Sequence, residues 1–217
     1  MTGDDAGDVT LRDEVAQRKV LERKASFSGE VWDVVTDRVR LDPSTEVTRD
    51  VVAHPGAVAI IAVREPGEVL LVRQYRHPVG RELWEPPAGL LDVDGEDPLE
   101  AAKRELREEG DVTAGEWHVL QDFFTSPGGS SEAIRIYLAR DIASVPSDER
   151  HERVDEERDM LQRWWPVEDV LAGIAAGDLG CPTLVVGVLA LDAARRADGE
   201  TLRPADAPWD RSGLARP

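Results

Sequence analysis

Cysteine is nearly absent from this chain of 217 residues, which contains a single one, Cys181. A disulfide bond within the chain is therefore excluded, and a reducing compartment such as the cytoplasm is expected. The N-terminus has no basic stretch followed by an apolar one, so no secretory signal is predicted. No apolar run approaches the roughly 18 residues that span a bilayer, and no membrane partner is expected.

Basic side chains are also scarce. The chain has 26 Lys and Arg and 44 Asp and Glu, which gives a formal net charge of -18. Such a surface repels a phosphate backbone, which argues against a nucleic-acid partner. It would repel a phosphorylated metabolite as well, unless a divalent cation or a local arginine cluster held it. The hydrophobic fraction of 41% is enough for a globular domain with a substantial core.

The order of predicted elements favours an α/β fold, in which a mixed sheet lies between helices. We expect a disordered acidic tail over 1–17, an N-terminal region of antiparallel strands over 18–54, a main domain over 55–198 and a flexible tail over 199–217. Within the main domain, strands are predicted at 56–63, 68–75, 117–125, 133–139 and 161–166, and helices at 98–110, 167–176 and 182–195.

Three carboxylates share one face of the predicted helix over 98–110. At about 100° per residue, Glu105, Glu108 and Glu109 fall within an arc of roughly 100°. Arg104 lies beside Glu108, four residues away, where it can orient and partly neutralise the carboxylates. Like charges at this spacing destabilise a helix, and a hard cation with oxygen ligands, such as Mg²⁺, would compensate. The alternative is a solvated acidic helix face.

Residues 89–112 resemble the Nudix box, whose pattern is G-x5-E-x7-R-E-U-x-E-E-x-G-U, with U an apolar residue. The spacing from Glu96 to Arg104 and the segment R-E-L-R-E-E at 104–109 fit the pattern without change. Two features depart from it: an extra residue precedes Glu96, and Asp111 stands where the second glycine is expected. The resemblance implies a Nudix α/β/α sandwich.

Four flanking segments are similar to those of the ADP-ribose pyrophosphatases within this family: V-R-Q-Y-R at 72–76, L-W-E-P-P-A-G at 83–89, S-P-G-G-S-S-E at 126–132 and D-E-E-R-D-M at 155–160. The resemblance implies a hydrolase of nucleoside diphosphate sugars that uses Mg²⁺, or Mn²⁺ as a substitute. ADP-ribose, cleaved to AMP and ribose 5-phosphate, is the favoured substrate. The alternatives are GDP-mannose, NADH or another nucleotide sugar, or a non-catalytic module that binds ADP-ribose.

The resemblance also implies how the metal is held. Arg104 would orient the carboxylates and would itself pair with Glu96. The N-terminal strands resemble a piece that is exchanged between subunits in these proteins, which implies a homodimer. The groups implied to bind the metal are three carboxylates and one backbone carbonyl, those of Glu105, Glu108, Glu109 and Ala88.

The remaining candidates come from the flanking segments. Glu156 is the candidate general base and Glu157 the alternative, although the acidic loop can also be interpreted as a solvated charge run. Arg76 can meet a phosphate through its bidentate fork, or it is a surface strand residue. The glycine loop either lets backbone N–H groups approach the terminal ribose or forms a plain turn. The candidates for substrate binding are Arg76, Glu85, Gly128, Gly129, Ser130 and, across a dimer, Arg49.

Overall fold

The computed structural model describes residues 11–152, 160–212 and 214–215. Its first sheet consists of three antiparallel strands in sequence order, β1 (Lys19–Ser28), β2 (Asp33–Asp42) and β3 (Thr45–Ala53). This sheet confirms the predicted antiparallel strands at the N-terminus. Most side chains of β1 are exposed, so this strand contributes little to the core.

The second sheet has the order β10-β5-β4-β9-β8-β11, with β6 added beside β5 and β7 beside β4. Strands β4 and β9 run parallel and the other pairs are antiparallel, so the sheet is mixed. The short strands β6, β7 and β11 were not predicted. The strands are β4 (Ala57–Arg64), β5 (Glu68–Arg76), β6 (Arg81–Glu85), β7 (Ala88–Leu90), β8 (Val112–Phe124), β9 (Ala133–Ser144), β10 (Leu161–Pro166) and β11 (Arg203–Pro204).

Helices cover both faces of this sheet: α1 (Pro98–Gly110) lies on one side, and α2 (Val167–Ala176) and α3 (Pro182–Arg196) on the other. Strand β4 is buried from Ala57 to Ala62, because its alternate side chains meet opposite layers. Ile60 packs in the core with Leu106 of α1, whereas Ile61 packs with Leu184 of α3. The predicted α/β/α sandwich is therefore confirmed.

In the part of the chain that the structure describes, no helix is both long and apolar enough to cross a bilayer.

Helix α1 has the predicted bounds, and its ends explain why the departure from the glycine pattern is tolerated. At the N-terminus, the Asp97 carboxylate accepts the N–H of Leu99 at 2.9 Å, which satisfies one of the free donors of the first turn. At the C-terminus, Asp111 adopts the left-handed conformation, with φ 51° and ψ 27°. Aspartate enters this region more readily than most residues other than glycine. The helix consequently ends in the usual way without the second glycine.

The described C-terminal residues differ from the flexible tail that composition predicted. Strand β11 extends the second sheet by pairing with β8. The guanidinium groups of Arg135 and Arg211 both pack on the Trp209 ring, and Ala215 is buried. The contacts with β8 and Arg135 join residues far apart in sequence, and a segment rich in Arg, Pro and Asp carries no periodic pattern that would predict them.

Candidate active site

The acidic face of α1 is organised by one arginine. Arg104 donates through Nε and Nη2 to the two oxygens of Glu96, at 3.0 and 3.1 Å. Its Nη1 donates to Glu105 at 2.5 Å and to Glu108 at 3.2 Å. Chiefly because of the hydrogen bond with Glu96, the pKa of Arg104 is raised and that of Glu96 is lowered. Arg104 therefore stays charged and contacts three carboxylates, those of Glu96, Glu105 and Glu108.

The third metal candidate, Glu109, is held by the neighbouring strand β7. It is 6% exposed, and its Oε2 accepts the backbone N–H of Ala88 at 2.9 Å. The next residue, Gly89, lies so close to Glu105 that a Cβ at this position would overlap the Glu105 carboxylate. Glycine at 89 thus leaves room for the Glu105 carboxylate beside β7. Glu105 and Glu109 of α1 consequently meet the backbone of β7 at one junction.

This junction fits a hard divalent cation by the chemistry of its donors, which are carboxylate and carbonyl oxygens. Glu105 and Glu108 converge on Nη1 of Arg104, while Glu109 is directed to Ala88. Counting described residues only, no three or more His, Cys, Asp or Glu side chains form a ready-made metal cluster. In the structure, hydrogen-bond donors hold these carboxylates.

A cavity of about 930 Å³ lies where the first sheet meets the second. This volume is in the range of small-molecule sites. Two of the predicted substrate residues, Arg76 and Ser130, lie on its wall. Leu90 of β7 is also on this wall, two residues along the strand from Ala88, whose N–H donates to Glu109. The other lining residues are Val31, Trp32, Val52, His54, Tyr75, His77, Pro78, Val79 and Glu132.

Arg76 and Glu85, predicted separately as substrate residues, are partners of each other. Arg76 donates through Nε and Nη2 to both oxygens of Glu85, at 2.9 and 2.7 Å. Glu85 is buried while the Arg76 side chain is partly exposed on the cavity wall. Mainly because of this hydrogen bond, the pKa of Arg76 is raised. Glu85 thus fixes the plane of a permanently charged guanidinium beside the cavity.

The glycine loop closes as a turn against the first sheet. The N–H groups of Gly129 and Ser130 both donate to the carbonyl of Ser126, at 3.0 and 2.9 Å, and the carbonyl of Gly129 accepts the N–H of Val52 at 2.9 Å. A Cβ added at Gly128 or Gly129 would meet no atom within 4 Å. For the Gly129 and Ser130 amides, this geometry favours the plain turn over a ribose contact.

His54 lies on the cavity wall, although the sequence did not predict it as a site residue. Its Nε2 lies 3.5 Å from Oε1 of Glu132, its Nδ1 accepts the N–H of Gly56 at 3.0 Å, and its ring stacks on Trp32 with centroids 5.7 Å apart. Burial lowers the pKa of His54, and Glu132 partly offsets this effect. The histidines are scattered along the chain and show no spacing that would indicate a site. The only signal for this region was the segment 126–132, which contains Glu132 and resembles a loop of the ADP-ribose pyrophosphatases.

Among the described candidates for substrate binding, Glu85, Gly128, Gly129 and Arg49 are not on the cavity wall. The two candidates for the general base, Glu156 and Glu157, lie outside the described residues. Arg49 is exposed on β3, opposite Asp37, and its Nη1 donates to the carbonyl of Thr48 at 2.8 Å.

Comparison with known proteins agrees with this geometry. The NUDIX domain pattern matches residues 53–180. The chain is 42% identical over 182 residues to the ADP-ribose pyrophosphatase of Mycobacterium tuberculosis, covering 84% of this chain and 86% of that protein. It is 38% identical over 140 residues to the ADP-ribose pyrophosphatase of Bacillus subtilis, covering 64% and 75%. A solved structure described as an ADP compounds hydrolase has the same fold, with a TM-score of 0.72 at 19% identity, covering 88% of this chain and 100% of the other.

A carboxylate face held against a short strand, beside a large cavity in an α/β/α sandwich, defines a hydrolase of the Nudix type. The chain belongs to the Nudix hydrolase family. Within that family, it is similar to the two ADP-ribose pyrophosphatases over most of its length, as the flanking segments implied. Nudix hydrolases generally need divalent metal ions, in agreement with the oxygen donors of α1.

Proposed function

We propose that this enzyme hydrolyses the pyrophosphate bond of ADP-ribose to give AMP and ribose 5-phosphate. The observation that carries the proposal is the junction of α1 and β7, where three carboxylates are oriented by Arg104 and by Ala88 next to a cavity of about 930 Å³. The names of the relatives in M. tuberculosis and B. subtilis support ADP-ribose as the substrate.

The proposed metal site consists of Glu105, Glu108, Glu109 and the carbonyl of Ala88, and its proposed ion is Mg²⁺, with Mn²⁺ as a substitute. When bound, the ion supplies positive charge that offsets the diphosphate and helps to orient it. Such charge is needed, because the chain carries a formal net charge of -18.

Side chains of the cavity wall would hold the substrate. Arg76 is proposed to donate to diphosphate oxygens, and its pairing with Glu85 restricts the guanidinium to one plane. Glu85 therefore acts through Arg76. Gly128 and the side chain of Ser130 are proposed to line the ribose end of the substrate, and Arg49 to reach it from a second subunit.

Glu156 is the proposed general base, with Glu157 as the alternative. Either carboxylate would accept the proton of the water that attacks phosphorus. Both lie in the acidic segment that resembles the catalytic loop of ADP-ribose pyrophosphatases.

The first test is an assay of purified protein with ADP-ribose and Mg²⁺. We expect AMP and ribose 5-phosphate in equal amounts, with turnover abolished by a chelator and restored by Mg²⁺ or Mn²⁺. GDP-mannose, NADH and other nucleotide sugars serve as matched substrates, and kcat/KM for ADP-ribose is expected to exceed theirs by about tenfold or more.

The assay separates the alternatives. Faster cleavage of GDP-mannose would show that GDP-mannose, not ADP-ribose, is the preferred substrate, and the proposed metal site would be unaffected. Binding of ADP-ribose without cleavage would identify a non-catalytic module. If no nucleotide sugar is cleaved or bound, the proposed function is wrong.

We also propose that the chain forms a homodimer through the first sheet. Large apolar side chains are exposed there, including Phe27, which is 60% exposed, together with Val20 and Leu41. Sedimentation equilibrium is expected to give twice the chain mass of 23.9 kDa. Phe27→Arg should then yield monomers, whereas Leu189→Arg, at a position 48% exposed on α3, should not. A monomeric parent protein would contradict this proposal.

The proposed location is the cytoplasm. The one cysteine is buried as a free thiol, so the fold requires no oxidising compartment. Recovery of the protein with the secreted fraction of its cells would contradict this location.

A further inference from the structure

The described C-terminal residues 203–212 and 214–215, here called the strap, are anchored by a buried arginine. Arg135 is 3% exposed, and it donates to the carbonyls of Ala207 at 2.6 Å and Pro208 at 3.1 Å. The same guanidinium is bidentate to Asp122, at 2.7 and 2.9 Å. The guanidinium carbon of Arg135 also lies 4.9 Å from the centroid of Trp209. One side chain thus fastens the middle of the strap to strands β8 and β9.

Beyond this anchor, the strap reaches the connection between the first sheet and the second. The guanidinium carbon of Arg211 lies 4.8 Å from the centroid of the Trp209 ring, and Nη1 of Arg211 donates to the carbonyl of Pro55 at 3.2 Å. The neighbouring Gly56 has a φ of 93°, and its carbonyl accepts the N–H of Leu91 at 3.0 Å. Leu91 directly follows β7, and β7 itself is held by its pairing with β4.

The end of the strap contacts the cavity loop through one buried hydroxyl. Ser131 donates from Oγ to the carbonyl of Ala215 at 2.6 Å, and the same Oγ accepts the N–H of His54 at 2.9 Å. The residues on either side of Ser131, namely Ser130 and Glu132, line the cavity together with His54. The strap therefore joins the two segments that form this wall.

We propose that the strap is a positioning element of the active site, with Arg211 as its main positioning residue. It holds the connection at 53–56 and the loop at 126–132 together, so that His54 and Ser130 keep their places on the cavity wall. Arg104 and Ala88 hold the α1 carboxylates by separate contacts. Loosening the strap should therefore weaken substrate binding without weakening metal binding. The kinetic part of this inference rests on the proposed function.

The test compares Arg211→Ala with Arg196→Ala, a matched arginine on α3 that is 79% exposed and pairs with Asp192 at 2.8 Å. For Arg211→Ala, we expect the KM for ADP-ribose to rise about tenfold, because a cavity wall held less firmly binds the substrate less well. We expect kcat and the Mg²⁺ concentration for half activation to stay within about twofold. Arg211→Lys keeps a donor and should recover most of the loss, and Arg196→Ala should match the parent.

A second readout needs no substrate. In Arg211→Ala, amide hydrogen exchange in peptides covering 50–56 and 126–132 should become about tenfold faster, while peptides covering α1 remain unchanged. A lowered melting temperature with KM and local exchange unchanged would mean a merely structural role and would overturn the inference. If the parent protein does not cleave ADP-ribose, the proposed substrate fails, and the exchange measurement alone decides the role of the strap.

Discussion

Glu109→Gln is expected to lower kcat/KM for ADP-ribose by about a thousandfold, which corresponds to a loss of several kcal/mol of transition-state stabilisation. Glutamine has the same shape, and its amide oxygen can still accept the N–H of Ala88, a contact of 2.9 Å in the parent. The fold should therefore be retained. What is lost is a negative oxygen at the junction of α1 and β7, where the diphosphate requires a cation.

The matched control is Glu100→Gln on the same helix. Glu100 is 62% exposed and pairs with Lys103 at 2.7 Å on the side of α1 that faces water. Its substitution should leave kcat/KM within about twofold, because an exposed ion pair contributes little. Steady-state kinetics at saturating Mg²⁺ and urea unfolding should be measured on both variants. If the acidic face is only solvated, Glu109→Gln would keep full activity and the helix would gain stability from reduced repulsion.

Replacement of the proposed general base should give the second largest effect. Glu156→Gln is expected to lower kcat by about 10²–10⁴-fold, the range typical of a positioned base. The structural support comes from the chain just after the loop. Met160 is buried, and Gln162 donates from Nε2 to the carbonyl of Glu109 at 2.8 Å. The strand that follows the loop is thereby attached to α1, the helix that carries the metal candidates.

Three variants make this test specific. Glu157→Gln should stay within a few-fold of the parent if Glu156 is the base, and the two results should be reversed if Glu157 is. Glu149→Gln, an exposed residue paired with Arg107 at 3.1 Å, is the control and should not change kcat. The base variant should also lose the rise of kcat with pH that the free carboxylate produces. Unchanged kcat in both loop variants would mean that the loop is a solvated charge run.

Local patterns explain why much of the fold could be predicted from the sequence. Helix α1 was predicted with its observed bounds, because Asp97 caps its start and its apolar residues repeat with helical period. Strand β4 was recognised as central, because a continuous apolar run is typical of a strand covered on both faces. The short strands β6, β7 and β11 were missed because segments of two to five residues carry too little periodicity.

The sequence by itself determined the family and the acidic face, because a motif of fixed spacing on one helix places Glu105, Glu108 and Glu109 together whatever surrounds them. Tertiary structure alone decided what each group contacts. It paired Arg76 with Glu85, placed His54 beside Glu132, and attached the C-terminal strap at Arg135. These contacts join residues 9, 78 and 72 positions apart, respectively. Each depends on how sheets and loops pack, and no repeat along the chain records that packing.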